Sequence, residues 1–327
     1  MVELQREAAM GGGQETAARA IPVISLEDFE ERKATIADEL WAAATEVGFF
    51  QLVTHDEGLS PRYVDEAFAY SAAFFALPHE VKQRMPLANN AGWEYKAQVR
   101  PSTGTADKKE SYQITKTRMG DQLWPAEQQL PGFRAFMEEF ERANWRVAMK
   151  VLSCFALKLG MPEDFFATAH APASPEYQST LRLLHYLPVD TSAADAYEGW
   201  RAGAHTDFDV LTMVHQRPGQ GGLQVCPGQD RDSGLWSPVP PLEGVVTCNV
   251  GDMLQRWSDD RLQSTLHRVR MPKPGEPTGP RYSLVFFAQA NKDVTIESAN
   301  YPPITAGEFL RRRIAANFAG AKSASST

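Results

Sequence analysis

The sequence predicts a mainly β protein with helical support, an antiparallel double sheet of the sandwich or barrel kind with helices on one face. Three observations carry this. Beyond residue 178, short β-rich runs alternate with Gly/Pro/Asp turns at 180–187, 210–216, 222–226, 245–250, 264–271 and 281–290, a spacing typical of sandwiches and barrels. The first half carries helical periodicity instead, most clearly at 132–159. No repeat or clean linker separates the halves. One domain is therefore expected over 21–320, with 21–178 mostly helical and 179–320 forming the β core, between a flexible leader at 1–20 and a flexible tail at 321–327.

Taken in order, the run IPVIS at 21–25 reads as a short entry strand, with Ser25 or Asp28 placed to cap a helix over 30–47. That helix puts Ile36, Leu40, Ala44 and Val47 on one stripe. Gly48 ends it, and FFQLV at 49–53 reads as a buried strand. Ser60 followed by Pro61 starts the next helix, which runs to about Ala76 ahead of Pro78. Residues 86–130 show no period and read as an irregular binding loop or lid. At 132–159 Phe133, Met137, Phe140, Val147, Val151 and Phe155 keep helical spacing, and Gly160 stops the helix. This stripe is read as core rather than as a cofactor box.

Composition narrows the function. A net charge of −8 repels nucleic acid and anionic membranes, so neither is expected as a partner. The three cysteines, Cys154, Cys226 and Cys248, form no CxxC pair, which argues against a disulfide framework or a cysteine zinc site. No apolar run reaches membrane-spanning length and the leader lacks a signal-peptide core. A cytoplasmic location is the expectation.

Among the histidines, His205 is informative because Asp207 follows two positions later. On a strand the two would share a face, and their ligand atoms would converge. His267, in the strand-like run STLHRVR at 264–270, is the third candidate. Two histidines and a carboxylate leave open metal positions, as non-haem iron(II) oxygenases require. Downstream, Arg281 and Ser283 share a strand face with Val285 and Phe287. A guanidinium and a hydroxyl in that company fit a bound carboxylate. Asp209 is read as a supporting or surface group. His55 is expected to be structural or exposed, His185 to face away from the pocket, and His79, His170 and His215 to have no ligand role.

In order along the chain, these motifs resemble the iron(II)/2-oxoglutarate dioxygenase superfamily, in the branch that includes isopenicillin N synthase and the plant-type dioxygenases. The carriers are IPVISL at 21–26, GFFQLVTH at 48–55, FFALPHEVK at 74–82, HTD at 205–207, GGLQV at 221–225, NVGDML at 249–254, STLHRV at 264–269 and RYS at 281–283. The resemblance implies a distorted double-stranded β-helix (jelly roll) core flanked by N-terminal helices. It implies iron(II) on His205, Asp207 and His267, and 2-oxoglutarate on Arg281 and Ser283, with Tyr186 contacting the co-substrate and O2 as oxidant. Two departures are visible. Leu187 stands where the family often has Pro, and Leu184 where plant-type enzymes often have Asn.

The expected activity is oxidation of a C–H bond of a small organic molecule by hydroxylation, desaturation or cyclisation, in specialised-metabolite biosynthesis. An iron oxidase of the same fold that does not use 2-oxoglutarate, and a non-catalytic small-molecule binder, are the alternatives. A zinc hydrolase lacks its general-base motif here. Trp93, Tyr95, Arg100, Tyr112, Gln113, Arg182, Leu184, Phe208 and Phe287 are the expected substrate-pocket residues.

Overall fold

The computed structural model describes residues 19–54, 57–97, 107–192, 199–227 and 234–324, the stretch 316–324 by its backbone only. His55 and Arg100 lie outside the described residues, as do most of the leader and the end of the tail.

Strand β1 (Val23–Ser25) leads through helix α1 (Phe29–Glu46) into β2 (Phe49–Val53). On α1, Ile36, Leu40, Ala43 and Ala44 are buried, the face that the periodicity requires. Helix α2 (Pro61–Phe75) starts on Ser60, whose Oγ accepts from the Tyr63 N–H, as an N-cap does. A short α3 (His79–Lys82) precedes β3 (Gly92–Tyr95) and β4 (Lys109–Ile114). The long α4 (Phe133–Leu159) ends at Gly160 in the left-handed conformation, and α5 (Phe165–Ala169) follows.

The strand-rich half contains β5 (Thr180–Tyr186), β6 (Trp200–His205), β7 (Leu211–Gln216), β8 (Leu223–Val225), β9 (Ser237–Pro238) and β10 (Val245–Val250). Then come α6 (Asp252–Trp257), β11 (His267–Arg270), β12 (Arg281–Ala288), β13 (Thr295–Ile296), β14 (Ile304–Thr305) and α7 (Ala306–Ala324).

Two facing sheets form the core. The major sheet has eight strands in the order β1-β2-β10-β7-β12-β5-β4-β3, and the minor sheet has four in the order β6-β11-β8-β9. Apart from the parallel β1–β2 pair, the pairings within both are antiparallel. The major sheet separates two environments. One face packs on the helices, joining Leu181, Leu183, Leu284 and Phe286 to Phe133, Phe140 and Leu152. The other faces the minor sheet, where Leu184, Tyr186 and Val285 meet Ala202, Leu223 and Val269. This is the mainly β, jelly-roll type of core flanked by helices that the motifs imply.

Two expectations need correction. The stretch 86–130, read as irregular, contains β3 and β4, which extend the major sheet. Its polar residues are buried, Glu110, Ser111 and Gln113 among them, so no apolar alternation marks the strands. Asp207 does not share a strand face with His205, because β6 ends at His205.

Candidate active site

The ligand atoms of His205, Asp207 and His267 lie within 4.8 Å of one another. β6 and β11 are hydrogen-bonded neighbours, and His205 stands directly opposite His267 in their register. Their ring centroids are 4.2 Å apart. The Nδ1 atom of His205 is 2.8 Å from the Gly203 carbonyl, and that of His267 is 3.2 Å from the Thr265 carbonyl. A proton on Nδ1 satisfies each carbonyl and leaves each Nε2 lone pair for a metal. The Asp207 carboxylate approaches both Nε2 atoms, at 3.9 Å for His205 and 3.6 Å for His267.

Asp207 sits in a loop, so its placement comes from its neighbours. Its Oδ2 accepts from Thr212 Oγ1 at 2.8 Å and from Asn249 Nδ2 at 2.9 Å, which leaves Oδ1 for a metal. Its backbone carbonyl accepts the Asp252 N–H at 2.8 Å. The loop rests on Gly251, where an added Cβ would fall 2.2 Å from the Asp209 carbonyl oxygen. Thr212 Oγ1 also lies 3.1 and 3.0 Å from the two carboxylate oxygens of Asp209. One hydroxyl carries one proton and cannot donate to both acids. Burial and the adjacent Asp207 charge push the Asp209 pKa well above the usual carboxylate range. The Thr212 hydroxyl thus serves either Asp207 or Asp209, and the raised pKa of Asp209 favours the arrangement in which Asp207 receives its proton.

A second polar centre lies on β12. Arg281 is 2% exposed and has no carboxylate within ion-pair distance among the described residues. Its Nε donates to the Gln220 and Gly221 carbonyls, Nη1 to Ser283 Oγ at 2.7 Å, and Nη2 to Gln216 Oε1 at 3.2 Å. The guanidinium lies over the Tyr186 ring at 4.9 Å. These groups and the three clustered residues border one cavity of about 800 Å³ between the sheets. A buried cation held only by neutral acceptors on a cavity wall is built to receive an anion.

Comparison with known proteins agrees with this chemistry. The model of the 2OG-Fe(II) oxygenase superfamily matches residues 177–290. The model for the N-terminal region of non-haem dioxygenases in morphine synthesis matches 21–131. The 2-oxoglutarate-dependent dioxygenase htyE of Aspergillus rugulosus is 33% identical over 302 residues, covering 83% of this chain and 88% of its own. The chain belongs to the 2OG-Fe(II) oxygenase superfamily. Proline hydroxylase buaE of Petromyces alliaceus is 34% identical and covers 82% of this chain and 85% of its own. Among solved structures, a full-length Neurospora crassa protein in complex with alpha-KG and thymine superposes with a TM-score of 0.80 at 30% identity, covering 93% of this chain and 98% of that one. The protein is thus an iron(II)- and 2-oxoglutarate-dependent dioxygenase.

The cavity wall of the dioxygenase follows from strand alternation. On β12, Arg281, Ser283, Val285, Phe287 and the following Gln289 all border the cavity. On the neighbouring strands Tyr186, Leu184 and Arg182, then Lys109 and Gln113, then Glu94 do the same. Arg182 donates to Gln113 Oε1 at 3.0 Å and lies over the Phe287 ring at 4.9 Å. Trp93, Tyr95 and Phe208 also border the cavity. Tyr112 does not. Period 2 turns it to the helix side, where it packs 4.2 Å from the Phe74 ring and donates to the Leu123 carbonyl.

His185 faces away from the cavity, with Nδ1 2.8 Å from Glu110 Oε1 and its ring stacked on Tyr282. His215 and His170 are buried. His79 borders the cavity beside Trp93 and Tyr95. The sequence reading missed Glu94 and Gln289, the supporting roles of Thr212 and Asn249, and the C-terminal residues Leu310 and Ile314, which also line the cavity. The NVGDML motif was the available signal for Asn249. Leu310 and Ile314 offered only a helical spacing of four. Among the described residues no helix is long and apolar enough to cross a membrane.

Proposed function

We propose that His205, Asp207 and His267 hold the iron(II), and that Arg281, Ser283 and Tyr186 hold the distal end of 2-oxoglutarate. The reaction proposed is oxidation of a C–H bond in a small polar molecule, by hydroxylation, desaturation or cyclisation, in specialised-metabolite biosynthesis. One observation carries this reading. A buried guanidinium with no carboxylate partner among the described residues shares a cavity with two imidazoles and a carboxylate whose ligand atoms converge. Such a donor set suits iron(II), because two neutral nitrogens and one oxygen leave positions for a bidentate co-substrate and O2.

Bound iron and 2-oxoglutarate supply the oxidising power when O2 is present; the chain supplies placement. Gly203 and Thr265 hold the imidazole tautomers. Thr212 and Asn249 hold one carboxylate oxygen of Asp207 and so aim the other. Arg281 and Ser283 fix the far carboxylate of the co-substrate and thereby orient its near end. Leu184, Val285 and Leu223 line the same cavity and belong to one apolar cluster, and an apolar wall strengthens electrostatic contacts made beside it.

The substrate is assigned to the side of the cavity lined by Gln113, Arg182, Phe287, Phe208, Trp93 and Tyr95. A guanidinium and carboxamides around aromatic faces suit a small cyclic or flat molecule bearing an acid or another acceptor. Proline hydroxylase buaE and the thymine complex of the Neurospora protein lend support, since both names involve compact, polar ring compounds. The test is succinate release under O2 from protein loaded with iron(II) and 2-oxoglutarate. L-proline, thymine and a panel of other small ring acids and amides serve as probes. At least one should raise succinate release several-fold over the unprimed rate and yield an oxidised product. No 2-oxoglutarate consumption with iron bound would overturn the reading.

A further inference from the structure

We infer that Arg313, on the C-terminal helix α7, is a positioning residue of the metal site. It acts through Asp252 on the loop that carries Asp207, and it fastens α7 as a wall of the substrate cavity. This rests on the reading of Asp207 as an iron ligand.

Three consecutive arginines on α7 behave differently. Arg311 and Arg312 both pair with Glu308 on their own helix. Arg313 leaves the helix: its Nη2 lies 2.5 Å from Asp252 Oδ2, with side-chain exposures of 12% and 10% for the two partners. The same Nη2 donates to Thr206 Oγ1 at 3.2 Å, and the guanidinium lies over the Phe208 ring at 4.9 Å. Thr206 and Phe208 flank Asp207, so one guanidinium grips both sides of that residue. Thr206 in turn donates to Asp252 Oδ2 at 3.2 Å.

Asp252 completes the linkage. The residue that receives the Arg313 charge is the one whose backbone N–H holds the Asp207 carbonyl, while the next N–H, from Met253, holds the Asp209 carbonyl at 3.0 Å. A shift of Asp252 therefore moves the backbone of Asp207. On the same side of α7, Leu310 and Ile314, one turn apart, border the cavity. The ion pair thus ties a cavity wall to the ligand loop. Lysine cannot replace the planar fork that reaches Asp252 and Thr206 while stacking on Phe208. The exposed neighbour Arg312 provides a control.

The test compares Arg313→Ala, Asp252→Asn, the double variant, Arg313→Lys and the control Arg312→Ala. Iron(II) affinity is measured by anaerobic equilibrium dialysis, and backbone hydrogen exchange is followed in the metal-free protein. Arg313→Ala should weaken iron(II) binding by about 10-fold, the scale seen when groups behind metal ligands are removed. It should also speed exchange at 206–211 while 281–288 stays protected. Asp252→Asn should act alike, and the double variant should be no worse than either single change, because the two residues share one interaction. Arg312→Ala should match the unsubstituted protein. Faster exchange confined to α7, with 206–211 and iron affinity unchanged, would overturn the proposal. If Arg313→Ala does not fold, Arg313→Lys carries the test, with the same two readouts shifted in the same direction by a smaller factor. Failure of the unsubstituted protein to bind iron would count against the metal assignment, and exchange at 206–211 would still decide the role of Arg313.

Discussion

The side-chain amide of Asn249 donates to Oδ2 of Asp207 over 2.9 Å. Asn249 stands at the end of β10, in the middle of the major sheet, whereas Asp207 lies in a loop beyond β6 of the minor sheet. This bond ties the loop acid to a strand of the eight-stranded sheet. Asn249→Ala is predicted to lower iron(II) affinity by about 10- to 100-fold. Anaerobic dialysis checks this, and unchanged affinity would remove Asn249 from the support of the site.

Arg281 is expected to govern the co-substrate separately from the metal. Removing one partner of a buried charge pair costs about 2–5 kcal/mol, so Arg281→Ala should weaken 2-oxoglutarate binding by on the order of 100-fold or more. Its iron(II) affinity should stay near that of the unsubstituted protein. Calorimetric titration of 2-oxoglutarate into iron-loaded protein separates the two, and equal loss of both would refute the division of roles.

Gly251 tests the packing of the ligand loop. A Cβ there would fall 2.2 Å from the Asp209 carbonyl and 2.3 Å from its Oδ1, atoms that the loop cannot withdraw freely. Overpacking of this kind costs about 1–3 kcal/mol. Gly251→Ala should therefore lower the urea midpoint and also weaken iron binding. A folded variant of full stability and affinity would show the loop to be softer than its contacts indicate.

Stability should fall in mild acid. Burial takes the pKa of His215 down to about 3 and that of His170 down to about 4, from 6.5. Between those values and 6.5 the unfolded chain binds more protons than the folded one, so stability rises with pH across that window. It is complete above about 6.5 and is lost as pH drops toward 4 and 3. From pH 7.5 to 5 each histidine should remove on the order of 2 kcal/mol. His215→Gln, which can still bond Asn144 Oδ1, should flatten the pH dependence of the urea midpoint. An unchanged slope would contradict the buried neutral state.

Much of this architecture is legible in the sequence, and the gaps have physical causes. The β10 and β12 runs read clearly as strands because apolar side chains lie on both faces. β6 escaped because WRAGAH at 200–205 is small, polar and Gly-containing, poor in the branched residues that mark strands. β4 escaped because its cavity-facing side carries Lys109, Ser111 and Gln113, buried at 4%, 0% and 2% exposure. A strand that lines a polar cavity loses the alternation that identifies it. Strand β4 turns Gln113 to the cavity and Tyr112 to the helices, a separation that a loop reading of this stretch does not provide. For the site, the ordered motifs point to His205, Asp207 and His267, while the strand face expected to be shared by the first two is absent because β6 ends at His205. The bonds that aim Asp207 cross between sheets, and no spacing reveals them.

The shared-cavity reading places iron(II) on His205, Asp207 and His267 and 2-oxoglutarate on Arg281. Its most direct test is anaerobic addition of iron(II), then 2-oxoglutarate, while following the weak visible charge-transfer band of the chelate. The band should form in the unsubstituted protein, vanish in His267→Ala and need far more 2-oxoglutarate in Arg281→Ala. Iron binding without a band, or a band indifferent to His267→Ala, would contradict it.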